Sequence, residues 1–255
     1  LGPGLVGALA VFVPMTQFFS IVSVLLLCAA AATVAVGPVL MEPPSGLQTG
    51  WGRRIAHAVA AGWRAIQPHR LLRFALPALL ITTTAWCIAF TLGIALLVRE
   101  MPGADAQLYG LAIAAYGVGN FTANMVIGSI DVRRSGLVMY LGRIVLGLGY
   151  IGMALAPSPA WLMASACFAA MGGPMNELPT LVRIQTDIPP PLVAAVFRLR
   201  MIMDHGGILL GLLIAPSLMD VLGTVPVVAL AGAMTVIVGI VGLYLFGGDV
   251  APEPR

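Results

Sequence analysis

The arginines of this chain alternate. Long apolar runs are joined by short polar connections, and all 13 basic residues are arginine. Arg53, Arg54, Arg64, Arg70 and Arg73 share one connection, Arg133 and Arg134 another, and Arg183, Arg198 and Arg200 a third. Arg143 lies just inside a run and Arg255 ends the chain, while the connections in between hold only Arg99. Basic residues gathered on alternate short loops record the orientation of a multi-span membrane protein. Composition agrees, with 60% apolar residues, 9% charged residues and a mean hydropathy of +1.01. A soluble domain carries about a quarter charged residues, so that class is excluded. A pI near 9.0 can signal a nucleic-acid partner. Here the charge is dispersed among loops, so no nucleic acid is expected, and attraction to anionic lipid is secondary.

A helix needs roughly 20 apolar residues to cross a bilayer. Residues 1–41 carry no charge and are broken by Pro14, which reads as the end of one span followed by a complete one. Further spans are expected at 74–98, 109–130, 137–155, 159–182, 201–222 and 226–247. The runs lack the alternation of a barrel, so the fold class is an all-α membrane protein, a multi-span helical bundle. The connection 42–73 opens with Glu42-Pro43-Pro44-Ser45-Gly46 and continues as a basic amphipathic segment at the membrane surface. With it cytoplasmic, the connections 99–108, 156–158 and 223–225 face outward. Those at 131–136 and 183–200 and the C-terminus face inward. The chain opens inside an apolar run with neither Met nor a basic leader, so a piece of a longer protein is expected. Ala115, Gly119 and Ala123 form one small-residue face and Gly207, Gly211 and Ala215 another, both read as packing.

Polar groups inside apolar spans need an explanation, because unpaired they cost several kcal/mol. Tyr116, Asn120 and Asn124 share a helical face and have two readings, a substrate pathway or hydrogen bonds between helices. Thr82, Trp86 and Phe90 form a similar stripe, which serves packing or binding. The segment Gly172-Gly173-Pro174-Met175-Asn176-Glu177-Leu178-Pro179 interrupts helical hydrogen bonding beside an acidic group, the pattern of a transporter site. Glu177 reads as a proton or cation ligand, or as the partner of an arginine near the inner surface. Asp204 and His205 are expected to open a helix, with the acid favouring its N-terminus. Arg143 is expected to snorkel to the inner surface. Cys28, Cys87 and Cys167 are widely spaced within apolar runs and suggest neither a disulfide framework nor a metal site. No cofactor is expected.

Residues 110–157 resemble the major facilitator superfamily. A glycine-rich span containing Tyr116-Gly117-Val118-Gly119 leads into Gly128-Ser129-Ile130-Asp131-Val132-Arg133-Arg134-Ser135-Gly136, which is similar to that family's cytoplasmic loop between helices eight and nine. A second glycine-rich span ends in Ala154-Leu155-Ala156-Pro157. Ile188-Pro189-Pro190 followed by Val196-Phe197-Arg198 resembles the link between helices ten and eleven in drug- and siderophore-exporting members. Gln67-Pro68-His69-Arg70-Leu71-Leu72-Arg73 resembles the start of helix seven in the same branch. Gly2-Pro3-Gly4-Leu5-Val6-Gly7 is similar to the helix-five motif of proton-coupled antiporters at Gly2, Pro3 and Gly7, with Val6 in place of a glycine.

The resemblance implies that residues 1–41 end the N-terminal half of the transporter and 42–73 link the halves. Residues 74–248 would form the C-terminal six-helix half, and 249–255 a cytoplasmic tail. It implies a secondary active transporter in the cell (inner) membrane, exchanging protons for a small amphiphilic molecule by alternating access, monomeric when full length. Thr82, Trp86, Tyr116, Asn120, Asn124, Asn176 and Glu177 would line the substrate pathway. Asp131, Arg133 and Arg134 would gate its cytoplasmic side. A membrane-embedded enzyme is the first alternative, although the chain has no His-Glu-x-x-His pattern or acidic cluster, and only Asp204-His205 as an acid–histidine pair. A non-transporting membrane assembly factor on the same fold is the second.

Overall fold

The computed structural model describes residues 15–36, 51–103, 105–130 and 134–249. Among these residues the regular structure is entirely helical. Eight helices follow one another: α1 Met15–Val36, α2 Trp51–Ile66, α3 Arg70–Arg99, α4 Ala106–Ser129, α5 Ser135–Ala154, α6 Pro159–Asp187, α7 Pro190–Leu222 and α8 Thr224–Phe246. Five of them, α3, α4, α5, α7 and α8, are long and apolar enough to cross a membrane. The chain is thus a helical membrane protein. The helix expected over 159–182 forms and reaches Asp187 but is not among those five. The described side chains of α1 are exposed along its length, Leu27 and Val34 by 70% and 80%, as lipid-facing groups would be. Residues 1–14, with the expected end of a preceding span and the glycine–proline motif at Gly2, Pro3 and Gly7, lie outside the described residues.

Local chemistry sets the helix ends. Asp105 caps α4 by accepting the Leu108 amide at 2.7 Å. Ser158 caps α6 by accepting the Trp161 amide, with Pro159 at the first helical position. Gly223 alone joins α7 to α8 at φ 86°, a left-handed conformation that costs glycine no steric penalty. The expected connection over 183–200 is not there. The first helix runs on to Asp187 and the next begins at Pro190, so the break is confined to Ile188 and Pro189. Proline at the first helical position lacks an amide hydrogen that the helix would leave unbonded anyway, which is why the turn falls there. At about 1.5 Å per residue, the 33 residues of α7 extend about 50 Å, well beyond a hydrocarbon core of about 30 Å.

Helices α3 to α8 form two sets of three that pack across one another. The pair α4–α6 has its counterpart in α7–α3, α5–α6 in α8–α3, and α5–α8 maps onto itself. Exchanging the set α3, α4, α5 with the set α6, α7, α8 therefore reproduces the principal contacts. The self-mapped contact is reciprocal: a Cβ on Gly147 would meet the Gly232 carbonyl at 2.5 Å, and one on Gly232 the Gly147 carbonyl at 2.7 Å. The two small-residue faces are counterparts as well. Gly119 of α4 lies against the Cys167 carbonyl of α6, while Gly207 and Gly211 of α7 lie against Leu80, Thr84 and Cys87 of α3. Side chains there would hold the backbones apart.

The same contacts define two ends. Phe74, Tyr140 and Phe246 cluster at one, and Thr224 donates to Glu100 at 2.6 Å at the other. Since α3 starts at the first end and α6 finishes there, the two sets of three run in opposite senses. Arg70, Arg73, Arg134, Arg183 and Arg198 belong to the first end and Arg99 to the second. Helix α2 packs at the first end too, where its Gly62 approaches Ala195 and Leu199 of α7.

Candidate functional site

A cavity of about 380 Å³ opens between α3, α4, α5, α6 and α7. Helix α3 contributes Ala75, Leu79, Thr82, Thr83, Trp86 and Phe90, and α4 contributes Tyr116, Gly117 and Asn120. From α5 come Arg143 and Leu146, from α6 Gly173, Asn176, Glu177 and Thr180, and from α7 Arg200, Asp204 and Ile208. Six of the seven residues expected to line a substrate pathway, Thr82, Trp86, Tyr116, Asn120, Asn176 and Glu177, are among them. The seventh, Asn124, is not. Its amide nitrogen donates to the Asn120 carbonyl at 2.9 Å and to Asn120 Oδ1 at 3.0 Å, so the pair bonds within α4 rather than between helices.

The lining is segregated along the helix axes. Toward the second end lies an aromatic cluster. Trp86 Nε1 donates to the Tyr116 hydroxyl at 3.0 Å, Phe90 stacks on Trp86 at 5.2 Å, and Phe90 meets Tyr116 at 4.1 Å. Phe90 belongs to a π-helical stretch, Cys87–Gly93, within α3. Such widened turns recur at functional sites because they re-aim side chains. Toward the first end the lining is polar and charged. Arg200 Nη2 donates to Glu177 Oε1 at 2.7 Å, so of the two readings of Glu177 the structure shows the arginine pairing. The Thr83 hydroxyl donates to Asp204 Oδ1 at 3.0 Å. Thr180 turns its hydroxyl back to the Asn176 carbonyl at 2.7 Å.

Arg143 departs most from expectation. It does not snorkel but is 1% exposed. Its Nε donates to Asn176 Oδ1 at 2.9 Å and its Nη2 to the Ala75 carbonyl at 3.1 Å. Its guanidinium carbon lies 5.4 Å from the Tyr140 ring centroid. Arg143 and Leu146, one turn on, both line the cavity. Asp204 also departs. It was expected to open a helix, yet it lies in the middle of α7, because that helix starts at Pro190. His205, its neighbour, is exposed and bonds through Nδ1 to the Met201 carbonyl of its own helix at 2.9 Å. The adjacent acid and histidine thus take different partners.

Arg200, Asp204 and Ile208 recur at four-residue spacing, a lining stripe readable from the sequence once α7 is known to be continuous. The expected gate is only partly described. Asp131 and Arg133 lie outside the described residues, and Arg134 is exposed at the start of α5. Beside it, buried Arg183 donates through Nε to Ser135 at 2.8 Å and pairs with Asp187 at 3.2 Å. Comparison with models of protein families finds no match, and comparison with curated proteins finds none either. Fold and cavity together define a helical membrane protein of two packed three-helix sets around an internal, amphiphilic space.

Proposed function

We propose that this chain forms the C-terminal half of a secondary active transporter of the major facilitator type. It would move a small amphiphilic molecule outward in exchange for protons, by alternating access. The observation that carries this reading is the cavity, lined by both three-helix sets and split into an aromatic end and a charged end. Transporters of this kind are built from repeats of opposite sense that meet at a midplane site, often beside interrupted helices. Two sets of three helices in opposite senses, the π-helical stretch of α3, and Pro174 and Pro179 within α6 support it. In this reading the arginine-rich end, the 42–73 connection and the C-terminus are cytoplasmic in the inner membrane. Substrate would enter against Asn176 and Glu177 and rest on Trp86 and Tyr116. Rocking against a partner half would then expose the cavity to the other side.

The test is transport by the intact gene product in sealed vesicles. An imposed proton gradient is expected to drive movement of a fluorescent amphiphile, and a protonophore to stop it. Movement that ignores the gradient would remove proton coupling from the proposal, and no movement with any amphiphile would remove transport.

A further inference from the structure

We infer that the cavity takes an organic anion, with Arg143 meeting its negative group and the aromatic cluster its apolar body. This rests on the transporter reading and narrows its substrate. A guanidinium keeps its charge under all ordinary conditions, so burial cannot be relieved by losing a proton. Burying such a charge is costly unless an opposite charge accompanies it. Among the described residues, the other two arginines largely removed from solvent each have one: Arg183 pairs with Asp187 at 3.2 Å and Arg200 with Glu177 at 2.7 Å. Arg143 has none among the described residues. A neutral amide and a backbone carbonyl occupy Nε and Nη2, while Nη1 is buried with no acceptor. The carboxylates of the same cavity do not compensate it. Glu177 is taken by Arg200, and Asp204 is half-buried with a donor in Thr83.

A carboxylate satisfies a guanidinium better than any neutral group, through parallel charge-assisted hydrogen bonds. Asn176, set between Pro174 and Pro179, holds Nε through a neutral oxygen that a ligand carboxylate would replace. At the far end, Trp86, Phe90 and Tyr116 pack on one another and together line the cavity with aromatic surface. The complementary molecule is therefore a compact aromatic or unsaturated body with an anionic group at one end.

Equilibrium binding to the purified intact protein tests this with three probes that share one ring: naphthoate, naphthamide and naphthylmethylammonium. The wild type is expected to bind naphthoate about tenfold or more tightly than naphthamide, the scale of one charge-assisted pair. Naphthylmethylammonium should bind weakest. Arg143→Gln should make naphthoate and naphthamide equal, and Arg143→Lys should restore part of the preference. Absent or equal binding of naphthoate by the wild type, a preference for the ammonium, or an undiminished preference in Arg143→Gln would each overturn the inference. The wild-type ratio decides the charge of the ligand even if Arg143→Gln fails to fold, and Arg143→Lys then assigns the residue. Preferential binding of naphthoate without movement across vesicles would overturn the transporter reading alone. Equal movement of naphthoate and naphthamide would overturn the anion alone.

Discussion

Asn176 and Asn124 look alike in the sequence, each a polar amide within an apolar helix, but their surroundings separate them. Asn176 accepts from the buried guanidinium of Arg143, joining α6 to α5, whereas Asn124 bonds within α4 among the described residues. Removing the acceptor of a buried charge leaves that charge poorly solvated, at a cost of about 1–3 kcal/mol. Asn176→Ala is therefore expected to lower the thermal unfolding midpoint in detergent clearly, and Asn124→Ala to shift it little. Equal shifts would show that Asn176 does not anchor Arg143. The arginines carry the same lesson. Counting them along the chain assigns nearly all to one membrane face, and Arg70, Arg73, Arg134 and Arg198 are indeed exposed at one end. Arg143 and Arg183, only 1% and 7% exposed, cannot be told from these by counting, because burial depends on which helices pack around them.

Two of the four glycines in α4, Gly119 and Gly128, diverge in the same way. A Cβ on Gly119 would strike the Cys167 carbonyl of α6, and backbone cannot yield as a flexible side chain can. A Cβ on Gly128 would meet nothing within 4 Å. Gly119→Val should destabilise the protein by about 1–3 kcal/mol through overpacking. Gly128→Ala should be neutral or stabilise it by about 0.5–1 kcal/mol, since alanine restricts the unfolded chain and favours helix. Unfolding in a denaturant series measures both, and similar values would contradict the close approach of α4 and α6. The small faces at Ala115, Gly119 and Ala123 and at Gly207, Gly211 and Ala215 were legible as packing from four-residue spacing alone. That one packs on α6 and the other on α3, as equivalents, was not legible, because spacing identifies a face and never its partner. Boundaries failed where composition misleads. The polar residues at 183–200 read as a loop, yet only Ile188 and Pro189 leave the helix, and Asp204 moves from a helix start to the middle of α7.

For the whole molecule, the packing gives two ends and the arginines give those ends opposite chemistry. If the arginine-rich end is cytoplasmic, a cysteine placed at Gln67 should resist a membrane-impermeant maleimide in intact cells. One at Pro157 should react. Both positions are exposed, and the background would lack Cys28, Cys87 and Cys167. Labelling in the reverse pattern would invert the orientation, and with it the direction in which the cavity first opens. Apolar run length and the distribution of arginine were enough to specify helices, an environment without water and a set of reversals, because those depend on transfer of each segment from water to lipid. Near-uniform apolarity carries no such information about neighbours, since a lipid-facing leucine and a helix-facing one cost the bilayer the same. Only tertiary packing chose the partners. It joined α4 to α6 and α7 to α3, gathered Thr82, Trp86, Tyr116, Asn120, Asn176 and Glu177 around one space, and closed Arg143 into its wall with no counterion among the described residues.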